Sequence, residues 1–138
     1  MRRRKYWKTI AKRRHTYDGV DQTTLLKKRD YEAEYRFLQQ YLSDNRHKNV
    51  DRQKERLSFL EQQLQSITVW MELLTEDESF VIKRHLFDGV DIPRITIEYR
   101  ERWGDEFSKT DRTIKAYQKK ALQKIASFEE MKKNLMDD

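Results

Sequence analysis

Leu57, Leu60, Leu64, Ile67, Met71 and Leu74 follow one another at spacings of 3, 4, 3, 4 and 3, a repeat that puts every apolar side chain on one side of an α-helix. A strand cannot use it, because strand side chains alternate with a period of two and these residues would fall on both faces. The same rhythm runs through almost everything after residue 24, and strict alternation is rare. Only three Gly and one Pro punctuate the 138 residues, too few for the strand connections of a large α/β enzyme. The chain is therefore expected to be all-α, an N-terminal helical hairpin followed by a C-terminal helix-turn-helix. The seam covers about two and a half heptads, short of the three or four that define a coiled coil. It reads as a core-facing helix packed on its neighbour in preference to a dimer zipper, with Trp70 widening the buried stripe.

Helix ends are legible in several places. The cluster Asp18, Gly19, Asp21 and Thr23 favours turns and marks a linker over His15 to Thr24. A first helix is predicted from Leu25 to Ser43, ended by the polar run Asp44 to Asn49, and a second from about Asp51 to Leu74. Thr75, Glu76, Asp77 and Glu78 form a T-x-x-E capping box that opens a third helix. Asp88 and Gly89 close that helix. Asp91 caps a fourth, with Pro93 in its first turn and Gly104 at its end. The last helix follows Thr110 and carries Ile114, Tyr117, Ala121, Leu122, Ile125 and Phe128 on one stripe. These boundaries divide the chain into a basic arm and linker (1–23), a helical hairpin (24–74), a helix-turn-helix unit (75–130) and a tail (131–138).

Charge is distributed unevenly. Of 30 Lys and Arg, eight lie within residues 1–14 together with none of the 24 acids, leaving 22 basic against 24 acidic residues in the rest. A basic head on a nearly neutral body suits a polyanion, although a solubilising tail has the same composition. A second concentration lies between Lys109 and Lys124, where Lys109, Arg112, Lys115, Lys119, Lys120 and Lys124 stand against the single acid Asp111. With no Cys, disulfide and cysteine-zinc scaffolds are excluded. The sequence has no secretory core segment and no apolar run of spanning length, so a cytoplasmic protein without a membrane partner is expected.

Catalysis has little support. His15, His47 and His85 are far apart and none has metal-ligand spacing. Glu76, Asp77 and Glu78 could suggest magnesium, but acids in a first helical turn complement the helix dipole without any ligand. Phosphate-loop, dinucleotide and serine-nucleophile motifs are missing. The expectation is a non-enzyme with no cofactor and no metal. A short helix from Asp91, a connection and a basic capped helix from Thr110 instead follow the order of a helix-turn-helix, whose second helix enters the DNA major groove.

The run Thr110 to Leu122, with Thr at the cap, Ile114 as buried anchor, Lys115, then Lys120, Ala121, Leu122 and Ile125, resembles the final helix of region 4 of bacterial sigma factors. Leu74, Glu76, Val81 and Ile82 are similar to the opening of that region. The layout as a whole resembles phage late-gene transcriptional regulators of the ArpU and RinA type, with the specific likeness covering about residues 74 to 128. The resemblance implies a sequence-specific regulator of phage or prophage late genes, an activator in the bacterial host nucleoid, binding double-stranded DNA and touching RNA polymerase, as monomer or homodimer. It implies base-edge contacts from Asp111, Arg112, Thr113 and Ala116. It implies phosphate contacts from Lys115 and Lys119; Lys109 and Lys120 beside them, and separately Arg2, Arg3, Arg4, Lys5, Arg13 and Arg14 of the arm, are expected to meet phosphates by virtue of their charge. The four base-facing residues depart from the sigma pattern, which implies a target other than the usual promoter −35 element. The connection Gly104 to Lys109 is also longer than the family's tight turn. A phage packaging protein such as a small terminase subunit, or a helical protein-interaction module, stands as the alternative.

Overall fold

The computed structural model describes residues 20–136, and every regular element among them is helical. In chain order these are α1 (Val20–Leu26), α2 (Lys28–Ser43), α3 (Asp51–Glu72), α4 (Glu76–Ile82), a π turn (Lys83–Phe87), α5 (Ile92–Trp103), a 3-10 turn (Asp105–Phe107) and α6 (Asp111–Met136). The all-α expectation is met. The basic arm with Arg2, Arg3, Arg4, Lys5, Arg13 and Arg14 lies outside the described residues, as does the first part of the predicted linker.

Helices α2 and α3 run antiparallel and bury Tyr31 and Leu38 against Leu60, with Tyr35, Leu57 and Leu64 packed around them. The first half of the heptad seam is filled this way. Its second half turns to a different partner: Ile67 and Trp70 join Leu25, Ile82, Leu86, Phe87, Ala121, Leu122 and Ile125 in a central cluster, with Met71 and Leu74 against it. A third cluster joins α4, α5 and α6 through Val81, Ile92, Ile95, Tyr99 and Ile114. The seam thus serves as core within the chain. The expected boundary at residues 74 and 75 does not separate two cores, because Ile67 and Trp70 of α3 pack with Ile82, Leu86 and Phe87 and with Ala121, Leu122 and Ile125 of α6.

Three expectations need correction. The predicted linker ends early: residues 20–24 are helical, and α1 is set off from α2 only at Lys27. Asp21 and Thr23 do favour turns, but Leu25 is fully buried in the central cluster, and burying such a side chain is worth roughly 1.5–3 kcal/mol, more than the propensity it overrides. The third helix does not run uniformly to Asp88 but loosens into the π turn, where the Asp88 amide donates to the Lys83 carbonyl at 3.0 Å. The wider turn lets Ile82, Leu86 and Phe87 enter the central cluster while Val81 enters the third. The tail is helical to Met136, since no Gly or Pro follows Gly104 and Glu, Lys, Leu and Met are good helix formers.

The caps behave as expected. Thr75 Oγ1 accepts from the Glu78 amide at 3.3 Å and Glu78 Oε1 accepts from the Thr75 amide at 2.9 Å. Asp91 accepts from the Arg94 amide at 3.1 Å. Gly89 and Gly104 both take positive φ, 70° and 97°, where a side chain would be strained.

Leu25→Ala should lower unfolding free energy by about 2–5 kcal/mol in urea denaturation, the cost of a cavity in a packed core. A change below about 0.5 kcal/mol, normal for a surface position, would mean that α1 is a detached linker.

Candidate nucleic-acid interface

Helix α6 is 26 residues long and has two unlike faces along its first half. At about 100° per residue, Ile114, Ala121 and Ile125 fall on one side, and all three are fully buried. Arg112, Lys115, Ala116 and Lys119 fall on the opposite side and all are exposed, with Lys120 exposed at its edge. The exposed side begins at the helix N-terminus, where Thr110 Oγ1 accepts from the Thr113 amide at 3.2 Å. That terminus is the positive end of the helix dipole.

The expected base-edge residues are not equivalent. Arg112 and Ala116 share the exposed face. Asp111 is exposed to one side of it, and Thr113 lies half-buried to the other, its hydroxyl 3.1 Å from that of Thr110. Thr113 is therefore partly committed to the cap. Lys109 is half-buried ahead of the helix. Among the described residues, no ion pair engages Arg112, Lys115, Lys119 or Lys120.

Several contacts hold this face in place. On α5, Ile95 and Tyr99 meet Ile114, and Tyr99 stacks on Trp103 with ring centres 4.3 Å apart while its ring lies 6.1 Å from that of Tyr117. The connection carries the 3-10 turn, with Phe107 about half exposed. Beneath α6, His85 of the π turn hydrogen-bonds Gln118 through Nδ1, and the Trp70 indole donates to Glu129 at 2.6 Å.

A further contact joins the start of α4 to α6. Lys124 Nζ donates to Glu78 Oε1 at 2.7 Å, and the Glu78 side chain is almost wholly buried. Burial pushes the Glu78 carboxyl up, but hydrogen bonds from Lys124 and the Thr75 backbone outweigh it and hold the group below its ordinary value. Sequence reasoning recognised Glu78 as a cap and missed its second partner 46 residues away. Arg84 was also missed: it forks onto Glu98 at 2.8 Å through two nitrogens and reaches Asp88 at 3.0 Å. These pairs keep Glu78, Glu98 and Asp88 engaged with cations of the scaffold.

Among the described residues there is no cluster of acids and histidines able to hold a metal ion, and no helix long and apolar enough to cross a membrane. Comparison with protein-family models, curated proteins and solved structures finds no match.

Glu78→Gln should destabilise the fold by about 1.5–3 kcal/mol, the range for a hydrogen bond to a charged group. Because the folded-state pKa is lowered, the Glu78 contribution is fully present above the ordinary value of 4.5 and fades as pH falls through the folded value. Denaturation from neutral pH downward should show a shallower acid loss in Glu78→Gln than in the parent. Parallel curves would mean that folding leaves the Glu78 pKa unshifted.

Proposed function

We propose that this chain is a sequence-specific DNA-binding protein that lays the first half of α6 in the major groove, with α5 supporting it as the first helix of a helix-turn-helix. One observation carries the reading: Arg112, Lys115 and Lys119 are exposed together on the face opposite the buried stripe, beside a capped helix N-terminus, with no ion pair to neutralise them among the described residues. Acids are abundant in this chain, and they pair with Arg29, Arg56, Arg84, Arg94 and Lys124 elsewhere. A positive face kept clear of them suits phosphate oxygens, while an arginine near the helix start suits a guanine edge.

In this reading Arg112 contacts bases, with Ala116 offering an apolar surface to a thymine methyl group. Lys115 and Lys119 contact phosphates, and the arm adds backbone charge beside the main site. The sigma-region-4 likeness of Thr110 to Ile125 extends the proposal to transcriptional regulation of phage or prophage late genes, with RNA polymerase as a further partner.

Enrichment from a pool of random duplexes should return one short motif. Arg112→Ala should then cost about 1–3 kcal/mol at one base position and relax selection there, whereas Lys119→Ala should weaken all duplexes alike and reduce the salt slope by about one. Equal behaviour of the two variants contradicts the division of roles. Deleting residues 1–14 should flatten the dependence of log K on log salt by about 0.9 for each phosphate the arm neutralises. An unchanged slope would leave the arm as a solubilising segment.

A further inference from the structure

A cavity of about 520 Å³ opens where α2, α4, the π turn and α5 meet. Five cations line it: Lys28 and Arg29 from the start of α2, Lys83 and Arg84 from the π turn, and Arg102 from the end of α5. Among its lining residues only Glu76 and Asp88 are acidic. Phe80 and Phe87 form an apolar wall, with the Lys28 ammonium 4.7 Å from the centre of the Phe87 ring and the Arg102 guanidinium 5.6 Å from that of Phe80. Part of the charge is framework. Arg84 forks onto Glu98 and shares Asp88 with Arg29. The rest is held loosely or not at all. Lys28 meets Glu32 at 3.4 Å, and Arg102 meets Glu76 at 3.2 Å in a pair exposed on both sides, which an incoming anion displaces at little cost. Lys83 is exposed and has no ion pair among the described residues.

The carboxylates behind the wall do not cancel this charge. Lys28, Arg29, Lys83, Arg84, Arg94 and Arg102 stand against Glu32, Glu76, Asp88 and Glu98, which leaves an excess of two cations. Gathering like charges around one cavity is unfavourable until an anion offsets them. A cavity of several hundred Å³ with an apolar wall encloses a whole small molecule, whereas a long polyanion is served by an open surface. We propose that the cavity binds a small phosphorylated molecule, its phosphate gripped by Lys28, Lys83 and Arg102 and its organic body lying against Phe80 and Phe87. A phosphate monoester carries close to two negative charges at neutral pH, the excess that the cavity offers, and its oxygens accept charge-assisted hydrogen bonds from ammonium and guanidinium groups.

This site is separate from the basic face of α6. Along α4 and into the π turn, Glu76, Ser79, Phe80 and Lys83 share one helix face, and all four line the cavity. Glu78, Val81 and Ile82 are buried on the opposite face, where they meet Lys124, Ile114 and the Ala121 cluster of α6. Arg112, Lys115 and Lys119 lie on the far side of α6 from those contacts. Two helices, each about 10 Å across, therefore stand between the cavity and a duplex laid on α6. The proposal is independent of the DNA reading.

Calorimetric titration of the full chain with phenyl phosphate at constant ionic strength should show one site per chain, with a dissociation constant below about 1 mM. Phenol, which keeps the ring and lacks the phosphate, should give no binding, and inorganic phosphate should bind about threefold more weakly or worse for want of the apolar contact. Lys83→Ala and Arg102→Ala, both at exposed positions, should each weaken phenyl phosphate about tenfold with the helical circular dichroism unchanged. Lys119→Ala on α6 should leave it unaltered. Absence of saturable binding up to about 10 mM overturns the proposal, as does an equal loss in Lys83→Ala and Lys119→Ala, which would mean attraction to charge in general. Inorganic phosphate binding as tightly as phenyl phosphate overturns the place given to Phe80 and Phe87. A loss of duplex affinity in Lys83→Ala as large as in Lys119→Ala also overturns it, because backbone phosphate would then occupy the cavity. No DNA enters the calorimetric titration, so its failure and that of the DNA reading are distinguishable.

Discussion

The structure depends on the burial of one stripe along α6. Ile114 closes the cluster shared with α4 and α5, while Ala121, Leu122 and Ile125 close the cluster shared with α1, α3 and the π turn. Each large side chain buried this way contributes roughly 1.5–3 kcal/mol, so the stripe outweighs any single polar contact in the molecule. It also fixes the rotation of α6 about its own axis. Turning the helix by one residue, about 100°, would bring Lys115 into the core, and this is what holds Arg112, Lys115 and Lys119 outward.

Polar contacts refine that placement. The buried Glu78 joins three groups: its carboxylate accepts from the Thr75 amide and the Lys124 ammonium, and its own amide donates to the Thr75 hydroxyl, which ties the start of α4 to the middle of α6. Exposed pairs such as Arg56 with Glu34, at 2.6 Å, contribute less, within about 1 kcal/mol each. Their larger consequence is electrostatic. They occupy acids of the scaffold, so that Arg112, Lys115 and Lys119 keep an unpaired positive face on a body whose basic and acidic residues nearly balance, 22 against 24 after residue 14.

How much of this was legible in the sequence varied with the range of the interaction. Caps are local, so Thr75 with Glu78, Asp91 and Thr110 could be read directly, and so could the buried stripe of α6 from its three-and-four spacing. The face carrying Arg112, Lys115 and Lys119 follows from the same periodicity. Thr113 was less legible, since its neighbour Thr110 takes up its hydroxyl. Long-range partners left no local trace: the lysine that meets Glu78, the Glu129 that receives the Trp70 indole, and the central cluster that makes α1 a helix despite Asp21 and Thr23. The π turn is likewise set by the demands of two clusters on Val81 and on Ile82, Leu86 and Phe87. The helical continuation to Met136 is masked in the sequence by a polar ending that resembles a tail, although nothing in it breaks a helix.

The central claim is that the outward face of α6 meets duplex DNA. Amide chemical-shift mapping on the full chain, titrated with a duplex enriched from a random pool, tests it most directly. The account predicts that the largest changes fall on residues 109–120, with Arg112, Lys115, Ala116 and Lys119 prominent and the α2–α3 tip around Phe37, Tyr41 and His47 unchanged. Changes centred on that tip, or shifts of similar small size across the whole molecule, would contradict it.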